Sequence, residues 1–202
     1  MTLNDQTRII DLWVQFWDGN EMAFSQLYCL CFDDLLAYGR RVWGDNEMVE
    51  DLIQDLFLKL YQKKIILEDN TKLRSFLFRA LKNLIYNQLL RNAKLQSLPD
   101  YDFAFDLDYT IDEQLSWMHD LGLSDEVHHI LKGLTEHQKE IIYLRFIHEM
   151  SFEEISEIMK INTQSARNLL FRSMEKIRKN LHQLLFHFLL MCFLYTLYSN
   201  LL

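Results

Sequence analysis

Across 202 residues the chain has one proline and five glycines. A many-stranded sheet needs turn residues at short, regular intervals, and these two residue types are their main suppliers. So few breakers leave long segments whose apolar residues recur every three or four positions, the signature of helices. Hydrophobic residues make up 50% of the chain, enough for a core and too many for wholesale disorder. The length suits one large domain or two small ones. The expected fold class is all-α: two small helical domains joined by an acidic linker, plus an apolar C-terminal helix.

The net charge of -8 argues against loose, non-specific binding to DNA or membrane. The charge is segregated, however. Residues 1–70 carry -7, residues 71–99 carry +6 with no acid, residues 100–134 carry -8, residues 135–159 carry -4 and residues 160–202 carry +5. Two basic islands in an acidic chain mark two places where a polyanion can be held. Two solvated helix faces explain the same pattern equally well. Pro99, the only proline, opens an acidic run from Asp100 to Asp108 in which acids alternate with aromatics at no helical period. This reads as a linker or extended segment, with a short helix expected from Ile111 to His119. The expected organisation is an N-terminal unit over 1–94, a linker over 95–123, a C-terminal unit over 124–181 and a hydrophobic tail over 182–202.

In the N-terminal unit, Ile10, Trp13, Val14 and Trp17 space a first helix, and Asp18-Gly19-Asn20 forms a turn. A second helix starts at Glu21 and reaches Trp43, where Gly44-Asp45 stops it. Asp45 is placed to N-cap a third helix, Asn46 to Lys63, with Glu47 and Glu50 near its positive end. On it Asp51, Gln54, Asp55 and Leu58 share one face, either a docking surface or a solvated face with one exposed leucine. A fourth helix, Leu73 to Asn92, is basic: Arg74, Phe78, Arg79, Lys82, Asn83, Tyr86, Asn87 and Arg91 surround its apolar stripe. Arg and Lys suit phosphates, Asn pairs with base edges, and aromatics offer stacking planes for unpaired bases. Phe78 and Tyr86 suit a core equally well.

In the C-terminal unit, Thr135 with Gln138 and Ser151 with Glu154 form two capping boxes, each opening a helix. After the second helix, Phe152 to Met159, comes a short turn at Lys160-Ile161-Asn162, and Thr163 is expected to cap a third helix reaching about Asn180. A two-turn helix, a tight turn and a longer basic helix form the helix-turn-helix pattern, whose second helix enters the major groove by its N-terminal part. That part carries Gln164, Ser165, Arg167, Asn168, Phe171 and Arg172, with Lys176 beyond.

Catalytic and metal chemistry find little purchase. His148-Glu149 lacks the second histidine of a zinc-protease motif, His128 and His129 diverge on a helix, and no phosphate-cradling glycine loop or GxSxG occurs. Cys29, Cys31 and Cys192 contain no CxxC pair, so neither a disulfide framework nor a zinc site is expected, and no cofactor. Cys29 and Cys31 are expected to be buried. The N-terminus has no apolar secretory core, which suggests a reducing, cytoplasmic setting. The tail from Leu184 to Tyr198 is uncharged but short for a membrane span. A protein surface, a membrane contact and a loose end all fit it.

Four stretches together resemble the extracytoplasmic-function subfamily of bacterial RNA polymerase sigma factors. They are Trp17–Tyr28, Glu50–Tyr61, Leu73–Asn83 and Leu134–Lys179, in the family's order and spacing. The start of the third is similar to members from Bacteroidetes-type bacteria. The resemblance implies a non-enzymatic factor that directs promoter-specific transcription initiation. Asp51, Gln54, Asp55, Leu58 and Tyr61 would dock on the polymerase core. Arg74, Phe78, Arg79, Lys82, Asn83, Asn87 and Arg91 would bind the minus-ten element, and one base would be flipped into a pocket. Gln164, Ser165, Arg167, Asn168, Phe171, Arg172 and Lys176 would bind the minus-thirty-five element. The linker would thread the polymerase channel. Implied partners are the polymerase core, promoter DNA and an anti-sigma factor or a recruiting partner; the tail's composition alone adds a membrane contact. Leu169 stands where the family usually has Arg, Lys160 where Gly is common, and Asn87 where Asp is frequent. These departures bear on base-by-base specificity and suggest one alternative, a sigma factor recruited to DNA by a dedicated partner. A separate alternative is a free-standing helix-turn-helix regulator, which would not need the Asp51–Tyr61 motif.

Overall fold

The computed structural model describes residues 3–63, 65, 67–92, 105–107 and 129–199, with side chains from residue 7 to residue 181. Every regular element among the described residues is helical: α1 (Leu3–Trp17), α2 (Glu21–Trp43), α3 (Asn46–Lys63), a single 3-10 turn (Asn70–Lys72), α4 (Leu73–Asn92), α5 (Glu136–Phe146), α6 (Phe152–Met159) and α7 (Thr163–Ser199). All-α is therefore the observed class.

Local chemistry sets the helix ends. Gly44 takes a left-handed conformation (φ 57°) and its N–H closes back on the Arg40 carbonyl, ending α2. Asp45 Oδ1 then accepts the Met48 N–H at 3.1 Å and starts α3. Both capping boxes form: Thr135 and Gln138 at α5, Ser151 and Glu154 at α6. At α7 the cap differs from the expected Thr163. Asn162 Oδ1 accepts the Ser165 N–H at 2.7 Å, and Thr163 is the first helical residue. Nor does α7 stop near Asn180. It runs unbroken to Ser199, because no proline or glycine interrupts the sequence between those positions.

α1 packs on α2, and α2, α3 and α4 pack on one another. Their shared core holds Trp13, Leu27, Leu35, Ile53, Leu60, Leu77 and Leu81, all fully buried. An aromatic cluster of Phe16, Phe24 and Tyr61 joins α1 to α2 and α3, with ring centroids 4.6 to 5.7 Å apart. Cys31 joins this core, and burial pushes its thiol up to about 12. Cys29 is exposed instead, because two residues along a helix turn it to the other side. α7 packs on both α5 and α6, completing the helix-turn-helix.

The two units are in contact. α6 lies along α4, and residues of both units belong to one continuous core cluster. Of the linker, residues 105–107 are described: they have no regular secondary structure, Phe105 and Leu107 are buried, and the Asp106 N–H donates to the Arg41 carbonyl at 2.9 Å. The expected helix from Ile111 to His119 and the expected domain boundaries near 95 and 123 lie outside the described residues, as do the tail's side chains. Among the described residues no helix is long and apolar enough to cross a membrane.

Gly39 marks the tightest crossing in the N-terminal unit. A Cβ there would clash with Val49 Cγ1 and lie 3.4 Å from Leu81 Cδ2, so α2, α3 and α4 meet over a hydrogen atom. Overpacking of this kind costs roughly 1–3 kcal/mol, more than the ~1 kcal/mol that alanine gains over glycine in a helix. Gly39→Ala should therefore lower the melting temperature by several degrees in a circular-dichroism melt, whereas the same substitution at a free helical site would raise it.

Candidate functional site

On α3 the polar strip is a surface. Asp51, Gln54, Asp55, Leu58 and Tyr61 are all exposed, Leu58 to 54%. Asp55 pairs with Lys59 at 3.8 Å, and the Tyr61 hydroxyl donates to Glu21 Oε1 at 3.2 Å, tying the end of α3 to the start of α2. Leu58 is thus a large exposed apolar side chain framed by carboxylates and an amide.

The residues of α4 divide. Asn87 and Arg91 are exposed, and Arg79 is half-buried. Arg74 and Phe78 are only 4% and 2% exposed, because the C-terminal unit covers them. Arg74 Nη2 donates to the His148 carbonyl at 2.6 Å, and its Nη1 faces Glu154 at 4.0 Å. Phe78 packs against Tyr38 and His148. Lys82 Nζ donates to both oxygens of Glu140, at 2.7 and 2.9 Å, and Lys160 Nζ donates to Asn83 Oδ1 at 3.0 Å. The neighbouring Ser75 and Lys72 bind the two oxygens of Glu157, at 2.6 and 2.7 Å.

On α7 the face of the recognition helix is open. Gln164, Arg167, Asn168, Phe171, Arg172 and Lys176 are exposed, Phe171 to 63%, and Ser165 is half-buried. Gln164 Nε2 donates to Asn168 Oδ1, and Arg172 Nε to the Asn168 carbonyl, so these side chains are held along the helix. Arg167 sits over the Phe152 ring and 3.6 Å from Glu153. Leu169 is partly buried against the core. Among the described residues no group of His, Cys, Asp and Glu is arranged to hold a metal.

Sequence reasoning missed the partners of α4. Glu140 is 2% exposed and takes hydrogen bonds from Tyr38 (2.7 Å) as well as Lys82. Burial alone would push its carboxyl up, but Lys82, His137 and Tyr38 together hold it below the ordinary carboxylate range. Glu157 behaves alike: burial raises it, while Lys72 and Ser75 pull it down further. Arg41 is buried with its guanidinium 4.4 Å from the Tyr143 ring centroid. The one signal available was charge: the acidic stretch at 135–159 has the opposite sign to the basic stretch at 71–99.

Comparison with known proteins agrees with this layout. Residues 30–95 match the family description Sigma-70 region 2, and residues 124–177 match Sigma-70, region 4. The chain is 22% identical to the ECF RNA polymerase sigma factor SigM of Bacillus subtilis, over 78% of this chain and 94% of that protein. It is 25% identical to SigW of the same organism, over 82% of this chain and 92% of SigW. It is 26% identical to the ECF sigma-E factor of Escherichia coli K12, over 83% and 91%. The fold is similar to that of the sigma factor RpoE in a co-crystal with the anti-sigma factor NepR from Bartonella quintana. The TM-score there is 0.51 at 21% identity, covering 79% of this chain and 96% of that one.

His148 gives the contact between the units a pH dependence. Its ring lies against Phe78 and Tyr143, with Asp34 Oδ1 at 3.9 Å and Arg74 and Arg41 nearby. Burial first, then Arg74 and Arg41, push its pKa down to about 3, so the ring is neutral and its approach to Asp34 is not an ion pair at neutral pH. Any state that exposes the ring takes up a proton near 6.5, whereas the packed state does not. The packed state's stability is thus complete above that value and falls as the pH drops toward 3. Glu140 and Glu157 add to the loss only below about 4.5. The melting temperature should drop between about pH 7 and about pH 5, and His148→Gln should flatten that slope. An equal slope in both proteins would count against this origin.

Proposed function

The chain belongs to the sigma-70 family, with region 2 and region 4 on one polypeptide, and from that premise we propose how its residues divide the work of promoter-specific initiation. As a sigma factor it is a recognition subunit and not an enzyme. α3 docks on the polymerase core through Asp51, Gln54, Asp55, Leu58 and Tyr61. α4 holds the minus-ten element through Arg74, Phe78, Arg79, Lys82, Asn83, Asn87 and Arg91, with its aromatic and amide groups serving an unstacked base. Unstacking costs a few kcal/mol and is least costly at flexible, AT-rich steps. α7 reads the minus-thirty-five duplex through Gln164, Ser165, Arg167, Asn168, Phe171, Arg172 and Lys176. The place of action is the cytoplasm, with the polymerase.

The observation that carries this reading is the exposed Leu58 strip on the same unit as a basic helix. A free-standing helix-turn-helix regulator has no use for it. Leu169 in place of Arg removes one phosphate partner from the duplex face, which favours help at the promoter from polymerase or a recruiting partner.

Two measurements test the assignment. Leu58→Asp should leave the melting temperature unchanged, since Leu58 is exposed, and weaken association with core polymerase about tenfold or more in a pull-down titration. Arg172→Ala should weaken promoter binding by the assembled holoenzyme similarly across minus-thirty-five sequences. It should also reduce the slope of log K against log salt by about one, as for a lost phosphate contact. Undiminished polymerase binding by the Leu58 variant would refute the docking role.

A further inference from the structure

We propose that the distal half of α7 is an anchor for an anionic membrane surface. Its uncharged run from Leu184 to Tyr198 enters the acyl region of a bilayer, and Lys176, Arg178 and Lys179 just before it hold the acidic headgroups. This goes beyond the promoter reading and does not depend on it.

The pattern of the run selects lipid over a protein groove. Every position is apolar except His187 and Thr196. Successive helical residues turn by about 100°, so the unbroken apolar stretch from Phe188 to Leu194 covers the whole circumference of the helix. A helix that lies in a groove or pairs with a second copy needs one apolar stripe and keeps its other positions polar. A helix apolar all round needs apolar surroundings on every side. The two helices packed on α7 are too short to supply them. α7 has 37 residues, α5 has 11 and α6 has 8, which at 1.5 Å per residue is about 55 Å against about 16 and 12 Å.

The turns that lead into the run supply the charge. Lys176, Arg178 and Lys179 are exposed, and no acid follows Glu175, which lies 4.0 Å from Arg178. Residues 176–202 therefore carry +3 inside a chain whose total is -8. Basic residues beside an apolar helix are drawn to anionic lipid, and their long stems let the charged heads stay at headgroup level. Met174 and Leu181, both exposed, stand seven residues apart on one face of α7, so apolar surface is already open before the run begins. The helical part of the run, Leu184 to Ser199, rises about 24 Å against a hydrocarbon core of ~30 Å. The contact is thus an insertion from one surface and not a span.

The test is flotation of the full chain in a density gradient with vesicles of phosphatidylcholine alone or of an even mixture of phosphatidylcholine and phosphatidylglycerol. Wild type should float with the anionic vesicles and much less with the neutral ones. Arg178→Gln with Lys179→Gln should weaken partitioning onto the anionic vesicles roughly 25-fold, about fivefold for each basic residue, and leave the neutral ones unaffected. Leu189→Glu with Phe193→Glu should abolish flotation on both. Without vesicles, the melting temperature and polymerase-dependent transcription of both variants should match wild type, which separates loss of the anchor from loss of the fold. The charge variant alters exposed side chains alone and decides the matter if the other fails to fold. Wild type that stays in the soluble fraction, or floats equally on the two vesicles, overturns the anchor. So does a stable wild-type dimer that ignores vesicles while Leu189→Glu with Phe193→Glu is a monomer, which assigns the run to a second copy.

Discussion

A carboxylate buried as deeply as that of Glu140 has to be neutralised where it sits, because an uncompensated buried charge costs several kcal/mol. Lys82 from α4 supplies the opposite charge and Tyr38 from α2 a hydrogen bond, and neither belongs to the unit that carries Glu140. The placement of α5 against α2 and α4 is therefore prescribed by chemistry rather than left to apolar contact. With Glu140 anchored, α6 follows along α4, bringing Glu154 and Glu157 to Arg74, Lys72 and Ser75. The apolar residues Phe78, Phe105 and Tyr143 close around the polar centre. Removing one partner of such a pair is worse than never having made it, which gives the contact a single register.

Element by element, the helices were legible because their signals are local. α3 and α4 begin and end where periodicity, Asp45 and the capping residues place them, and both capping boxes of the C-terminal unit form. The exposed strip on α3 was legible for the same reason: spacing alone puts Asp51, Gln54, Asp55 and Leu58 on one face. The tertiary contacts were not. Periodicity says that Arg74 and Phe78 lie off the main apolar stripe of α4, but not that a second unit buries them. Glu140 reads as one more surface acid in a charged helix until its partners arrive from residues 58 and 102 positions away. At α7, two adjacent cap candidates, Asn162 and Thr163, differ by one residue, and only the backbone decides between them.

Segregated charge links the two levels. The -4 stretch at 135–159 meets the +6 stretch at 71–99, so part of the basic island that invites a polyanion is answered from within the chain. Among the described residues, the +5 stretch that begins at Lys160 is answered along the exposed face of α7 only by Glu153 and Glu175 near its arginines. The total of -8 thus misleads about nucleic acid in two ways. It hides two basic surfaces, and it hides that they differ in availability.

Lys160 joins the turn between α6 and α7 to the contact with α4. It ends α6 in a left-handed conformation, φ 54°, which glycine adopts without cost and a side chain does not. For a non-glycine residue that conformation costs roughly 1–2 kcal/mol. An exposed hydrogen bond from its ammonium group to Asn83 returns about 1 kcal/mol at most, and only while the two units are together. In an isolated helix-turn-helix the lysine is a net cost; packed on α4, part of that cost is offset. Strain in the turn between α6 and α7 is therefore coupled to the contact that this turn makes with α4. Without Asn83 the turn loses the contact that offsets its strain, so a residue of α4 bears on the stability of the helix-turn-helix although no contact within that motif is involved.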